Sequence, residues 1–243
     1  MTNPSPDLGA IVAPLEGAVI VSCQAAAGSP LDHPGTIAAL AQSAALGGAR
    51  GFRIDGPDNV AAVRAVTDLP IIGIRKADRP GFEVRITPTL ADALRVVAAG
   101  ATIVALDGTD RPRPGGETVA GIIAALHAGG VPVMADISTL AEAEAAVVAG
   151  ADLVATTLAG YTPGTSDLDP SEPAFDLLRE LRDLPVPAVV EGRIWTVEHV
   201  ERAFDGGAFA VVIGSAITAP NLITRRFVDG SQAGRATRSS DRR

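Results

Sequence analysis

Lysine is all but absent from this sequence. The 243-residue chain has twenty basic residues, and only Lys76, in the stretch PIIGIRKAD (70–78), is a lysine. Arginine serves solubility, ion pairing and phosphate contact as well as lysine does, but it does not release its proton at working pH, whereas a buried lysine can. A single lysine after an apolar run therefore points to proton transfer or amine chemistry. The competing reading is an arginine-biased composition that spared one surface lysine, and position must decide between them. Cysteine is down to Cys23 alone, which excludes an internal disulfide and fits a reducing cytoplasm. With no histidine nearby in sequence, Cys23 reads as a packing residue rather than a nucleophile. His33, His127 and His199 lie far apart without ligand spacing, so no metal site is expected. Aromatics make up only 3% of the chain, leaving the core to Ala, Val, Ile and Leu. No apolar run reaches the roughly 18 residues of a membrane helix. MTNPSPDLGA shows no basic stretch followed by an apolar one, so no secretory signal is expected and the compartment reads as cytoplasmic. A net charge of −8 argues against a nucleic-acid partner.

What the chain does have is repetition. It is 47% apolar, with a mean hydropathy of +0.28, enough for one sizeable core. A phrase of alanine-rich helix, glycine, small residue and β-formers recurs as ALGGARGFRID, VAAGATIVALD, VVAGADLVATT and FDGGAFAVVIG. Between the copies stand LPIIGIRK, VPVMADIS and VPAVVEGRI, and with AVIVSCQ near the start these make eight strands separated by helical patterns. The strands are continuous apolar runs, as expected of parallel strands covered by helices. Eight βα units without a composition break predict a closed (β/α)8 TIM barrel. No G-x-G-x-x-G follows any strand, which argues against a dinucleotide-binding sheet. We read residues 1–16 as an N-terminal extension, 17–228 as the barrel, and 229–243 as a disordered Arg/Ser-rich tail.

In this fold chemistry sits at the C-terminal ends of the strands. Those ends carry Gln24, Arg53, Lys76, Asp107, Asp136, Thr156 and Thr157, Glu191 and Arg193, and Gly214 and Ser215. A lysine placed at random reaches such a rim roughly one time in ten, so the functional reading of Lys76 prevails. Strands 3 and 7 lie opposite each other in a ring of eight, which sets Lys76 and Glu191 across the barrel mouth. That arrangement suits inversion at a carbon next to a carbonyl, with Lys76 and Glu191 as the proton-transfer groups. Partial burial, with Arg53 and Arg193 nearby, is expected to lower the pKa of Lys76 and to stabilise enolate charge. Gly214 and Ser215, in VVIGSAITAP, have the form of a phosphate cradle; with Gly192 after strand 7 they are the candidate phosphate-binding residues. The residues leave two other readings open: a Schiff-base sugar aldolase or lyase with Lys76 as nucleophile, and a non-catalytic sugar-phosphate sensor. DRPRPGG (110–116) forms a proline-restricted loop whose arginines could face ligand or solvent.

The motifs VSCQA, LPIIGI-K, ITPTL, ALD-T-RPRP, MADISTL, TTL-GYTP, EGRI-T and GSAIT-P-LIT-RF resemble one family, from about Gly17 to Val228. It is the N-acylglucosamine-6-phosphate 2-epimerases, also called N-acetylmannosamine-6-phosphate epimerases. The resemblance implies a cytoplasmic (β/α)8 TIM barrel of the phosphosugar-binding type, in sialic acid degradation, that uses no cofactor or metal. It also implies inversion of C2 between N-acetylmannosamine 6-phosphate and N-acetylglucosamine 6-phosphate. Matched motif by motif, Lys76 is the acid/base and Glu191 its paired carboxylate, while Gln24, Arg53 and Asp136 contact substrate. Asp107, Thr156 and Arg193 complete the substrate-binding set read from the rim. Three positions depart from the family pattern: Ala219 replaces the arginine of SAITRP, Arg75 replaces an isoleucine, and Gly164 replaces a tyrosine. Arg75, Arg193, Arg225 and Arg226 are the cations available to replace the missing arginine. Barrels of this class are commonly dimers, so a homodimer is expected, though no stretch of sequence marks its interface.

Overall fold

The computed structural model describes residues 8–231. Eight parallel strands close into a barrel in the order β1 to β8, with β1 hydrogen-bonded to both β2 and β8. The strands are β1 (Ala18–Cys23), β2 (Gly51–Asp55), β3 (Ile71–Ile74), β4 (Ile103–Asp107), β5 (Val133–Asp136), β6 (Leu153–Ala155), β7 (Ala188–Glu191) and β8 (Ala210–Ile213). Helices α2 (Pro34–Leu46), α3 (Pro57–Arg64), α4 (Leu90–Ala98), α5 (Val119–Ala128), α6 (Leu140–Val148), α7 (Phe175–Glu180) and α8 (Val197–Asp205) connect them, and α9 (Ser215–Thr218) and α10 (Pro220–Gly230) follow β8. The recurring phrase marks the return from helix to strand. Gly48, Gly100, Gly150 and Gly207 take left-handed φ values of +94° to +108°, where a residue with a Cβ is strained. At the other helix ends Thr89, Thr118, Thr139 and Thr196 cap α4, α5, α6 and α8, and Thr139 forms a capping box with Glu142.

Side chains alternate across each strand, so one residue in two faces the barrel axis. Those facing outward, such as Val104, Leu106, Val133, Ala135, Val190 and Val211, pack beneath the helices. Those facing inward form apolar layers: Ile20, Ile72, Ile74, Ile103, Ala105, Met134, Leu153, Val189 and Val212. The segment read as an N-terminal extension joins this interior. Its short helix α1 (Leu8–Val12) and the 3-10 turn Ala13–Leu15 place Val12 and Leu15 against the same cluster. Leu15 is 1% exposed, and the segment closes the barrel's lower end. The proposed tail lies outside the described residues apart from 229–231, of which Asp229 and Gly230 complete α10. Among the described residues no helix is long and apolar enough to cross a membrane.

Candidate active site

Continuing each inward series by two residues reaches the mouth, and there the interior changes character. On β2 the position above Gly51 is Arg53, on β5 the one above Met134 is Asp136, and on β7 the one above Val189 is Glu191. Arg53 is 1% exposed and grips Asp136 with both terminal nitrogens, Nη2 to Oδ2 at 2.6 Å and Nη1 to Oδ1 at 2.9 Å. The same Nη1 donates to Glu191 Oε2 at 2.7 Å. Thr157 Oγ1 donates to Asp136 Oδ1 at 2.6 Å and lies 3.3 Å from Glu191 Oε2. Burial alone would weaken the guanidinium's hold on its proton, but Asp136 and Glu191 outweigh it and keep Arg53 charged.

The two candidate proton-transfer groups open on one cavity of about 1100 Å³ above this layer. Burial raises the pKa of Glu191; Arg53 opposes that shift and Asp136 adds to it. Burial lowers the pKa of Lys76; Asp55 opposes that shift and Arg53 adds to it. A carboxyl moved up and an ammonium moved down bring both groups toward the range suited to general acid–base chemistry. Lys76 Nζ donates to Gln24 Oε1 at 2.6 Å, and Gln24 Nε2 donates to Ser22 Oγ at 2.7 Å, so β1 orients the amine. Lys76 lies beyond the end of β3, in an excursion that folds back on itself through an antiparallel bridge with Ile86.

Of the residues expected at the site, Gln24, Arg53, Lys76, Asp107, Glu191 and Ser215 line the cavity. Asp107 is held by Arg111 Nη2 at 2.6 Å and Thr109 Oγ1 at 2.6 Å. Asp136 is fully buried beneath Arg53 and meets the cavity through its bonds to Arg53 and Thr157 rather than directly. Thr156 needs correction: its hydroxyl donates to the Glu191 carbonyl at 3.0 Å and accepts from the Glu191 N–H at 3.1 Å, tying β6 to β7 behind the wall. Thr157 holds the place expected of it at the cavity. Arg193 also departs from expectation. Gly192 (φ +104°) and Arg193 (φ +59°) are successive left-handed residues, so the chain turns sharply after Glu191 and breaks the strand's alternation. The Arg193 guanidinium then runs past Gly160, where a side chain would collide with it, to donate to the Ala159 carbonyl at 2.8 Å.

At the β8 end Ser215, Thr218 and Ala219 line the cavity, whereas Gly192 and Gly214, expected there, are not among its lining residues. Gly214 has a structural reason to be glycine, since a Cβ there would stand 3.3 Å from that of Ser22. Thr218 Oγ1 donates to the Ser22 carbonyl at 2.7 Å, fastening α9 to β1. None of the four arginines named as replacement cations lines the cavity. Arg75 lies 3.4 Å from Asp92, and Arg226 stacks 4.3 Å from the centre of the Trp195 ring. The arginines that do line it apart from Arg53 are Arg85 and Arg111, the latter from the loop after β4. Cys23 is fully buried, and burial pushes its thiol up to about 12, as suits a packing residue.

Fold and site together define a single-chain (β/α)8 barrel with an ionisable lysine and glutamate at its mouth. The family model described as "Putative N-acetylmannosamine-6-phosphate epimerase" matches residues 37–233. A Synechococcus elongatus protein named "Putative N-acetylmannosamine-6-phosphate 2-epimerase" is 48% identical over 90% of this chain and 95% of its own length. One of the same name from Caldanaerobacter subterraneus is 42% identical over 90% of this chain and 92% of its own. Among solved structures, the N-acetylmannosamine-6-phosphate 2-epimerase from Clostridium perfringens superposes with a TM-score of 0.88 at 40% identity, covering 91% of this chain and 96% of that one. The chain belongs to the N-acetylmannosamine-6-phosphate epimerase family.

Proposed function

We propose that this protein inverts C2 of an N-acyl amino sugar, interconverting N-acetylmannosamine 6-phosphate and N-acetylglucosamine 6-phosphate by proton abstraction and return. The observation that carries this reading is the opening of Lys76 and Glu191 on one cavity, with pKa values displaced toward each other. C2 lies beside the C1 carbonyl of the open-chain sugar, so removing its proton leaves an enolate whose charge falls on O1. Lys76 and Glu191 hold and move that proton. The buried Arg53 guanidinium supplies fixed positive charge below it, already oriented by Asp136 and needing no rearrangement as the anion forms. Thr157 steadies the two carboxylates that Arg53 joins.

The distal phosphate belongs at the β8 end, against Ser215 and the N–H groups that open α9, with Gly192 and Gly214 keeping the backbone within reach. No lysine or arginine lines the cavity from β7 onward among the described residues, so neutral donors carry this contact. The names of the curated relatives and of the Clostridium perfringens structure support the substrate, and the rim geometry supports the chemistry. The test is an NMR assay of the protein with phosphorylated and free N-acetylmannosamine, with borohydride present in a parallel sample. Formation of the gluco epimer without a covalent adduct on Lys76 is the expected result. A borohydride-trapped adduct with cleavage of the sugar would replace this reading by the lyase.

A further inference from the structure

Lys76 does not lie on a strand, so something other than the barrel ladder must fix it. After β3 the chain forms a narrow excursion between residues 75 and 87: Ala77 N–H donates to the Arg85 carbonyl at 2.9 Å, and Thr87 N–H to the Arg75 carbonyl at 2.8 Å. Its base is fastened to β4, since the fully buried Thr87 donates through Oγ1 to the Ala105 carbonyl at 2.6 Å. Thr87 takes a φ of +46°, a conformation that persists only where its surroundings enforce it. These bonds flank the Lys76–Ile86 bridge and hold the chain on either side of Lys76, but leave the pairing of the Lys76 N–H itself to another group. That group is the half-buried Asp55, whose Oδ1 accepts the Lys76 backbone N–H at 2.8 Å. Asp55 is itself held in place. Its carbonyl accepts from Asn59 Nδ2 at 2.8 Å, and the next N–H, that of Gly56, donates to the Ile74 carbonyl at 2.9 Å. The Asp55 side chain also lines the cavity.

We propose that Asp55 is the positioning residue of Lys76, its carboxylate anchoring the lysine's backbone at the cavity wall while its charge stands beside the ammonium. The inference rests on the reading of Lys76 as a proton-transfer group. The charged groups facing the ammonium are Asp55 and Arg53 from β2, Asp136 from β5 and Glu191 from β7, while β1 presents the neutral Gln24 oxygen. Among these charges Asp55 opposes the effect of burial most strongly. Asp55 thus limits how far the amine is driven toward its neutral form, and a plain scaffold residue would leave that property untouched. Because Lys76 is the only lysine, incorporating [15Nζ]lysine into the whole protein gives one side-chain signal, whose titration reads its pKa without substrate.

Asp55→Asn keeps an acceptor for the Lys76 N–H and removes the charge, whereas Asp55→Ala removes both. The lysine midpoint in Asp55→Asn is expected below that of the parent protein. Asp55→Ala is expected to lose about a hundredfold in kcat with KM within about threefold, because the amine is misplaced. Asp55→Asn is expected to recover most of that loss at its own pH optimum. A midpoint in Asp55→Asn equal to or above the parent's overturns the proposal, as does parental kcat in Asp55→Ala. If Asp55→Ala does not fold, the Asp55→Asn titration decides alone. A lowered midpoint in a protein that turns over no amino sugar leaves the placement of Lys76 standing and removes the reaction assigned to it.

Discussion

The lower and upper halves of the barrel interior are made by the same strands and the same two-residue alternation, yet different physics holds them. The lower half is apolar, from Val12 and Leu15 up through Ile20, Ile72, Ile103, Met134 and Val189. It is stabilised by taking hydrocarbon out of water and tolerates exchange of one apolar side chain for another of like volume. The upper half is a buried ion network of Arg53, Asp136 and Glu191 in which every member depends on the others. Buried charge of this kind adds little net stability compared with apolar packing, but losing one partner strands the rest. The lesson is that this barrel spends its stability below and places its reactive charge above, on one continuous scaffold.

Substitutions in the two halves test this contrast. Arg53→Ala leaves two buried carboxylates facing each other and is expected to cost about 3–5 kcal/mol. In thermal unfolding that is a fall of roughly 10 °C for a chain of this size. Leu15→Ala, in the lower half, is expected to cost about 3 kcal/mol by opening a cavity, with kcat unchanged. Equal losses of activity in the two variants would break the comparison. Ala219→Arg brings a cation to the neutral β8 side and is expected to lower KM for the phosphorylated sugar about tenfold, with the free sugar unaffected. The smallest effect is one of pH. Burial raises the folded-state pKa of Glu191, so the native protein holds that proton to higher pH than the unfolded chain does. Its contribution to stability is complete below the unfolded value and is lost as pH rises through the folded one. Glu191→Gln removes that dependence, and denaturant midpoints measured from mildly acidic to neutral pH should fall less steeply than in the parent.

Most of this architecture was legible in the sequence, and the reason is local. Helix-ending glycines recur after α2, α4, α5, α6 and α8, and threonine caps open α4, α5, α6 and α8, so chain order and barrel closure follow from repetition. Lys76, Arg53 and Glu191 were visible because a charged residue ends each of their apolar runs. Strand parity separates Thr156, which lies behind the wall, from Thr157, which lines the cavity. Counting by two from Leu153 through Ala155 reaches Thr157, and from Gly51 through Arg53 reaches Asp55. After β7 the backbone itself turns: the left-handed pair Gly192 and Arg193 carries the arginine out of the interior, and single-residue propensity does not announce it. The closing of the barrel's lower end by residues 12–15 was hidden because a short apolar stretch at a terminus has no period to read.

The account comes down to whether the proton at C2 passes through Lys76. Turnover of N-acetylmannosamine 6-phosphate in D2O, followed by mass spectrometry and proton NMR of both epimers, tests this directly when the parent protein is compared with Lys76→Arg. Arginine keeps the positive charge but cannot release a proton. The parent is predicted to place one solvent deuterium at C2, and Lys76→Arg, folded and with unchanged thermal stability, to slow that exchange by about a thousandfold or more. Deuterium at C2 at the parental rate in Lys76→Arg, or epimerisation by the parent with no deuterium at C2, would contradict it.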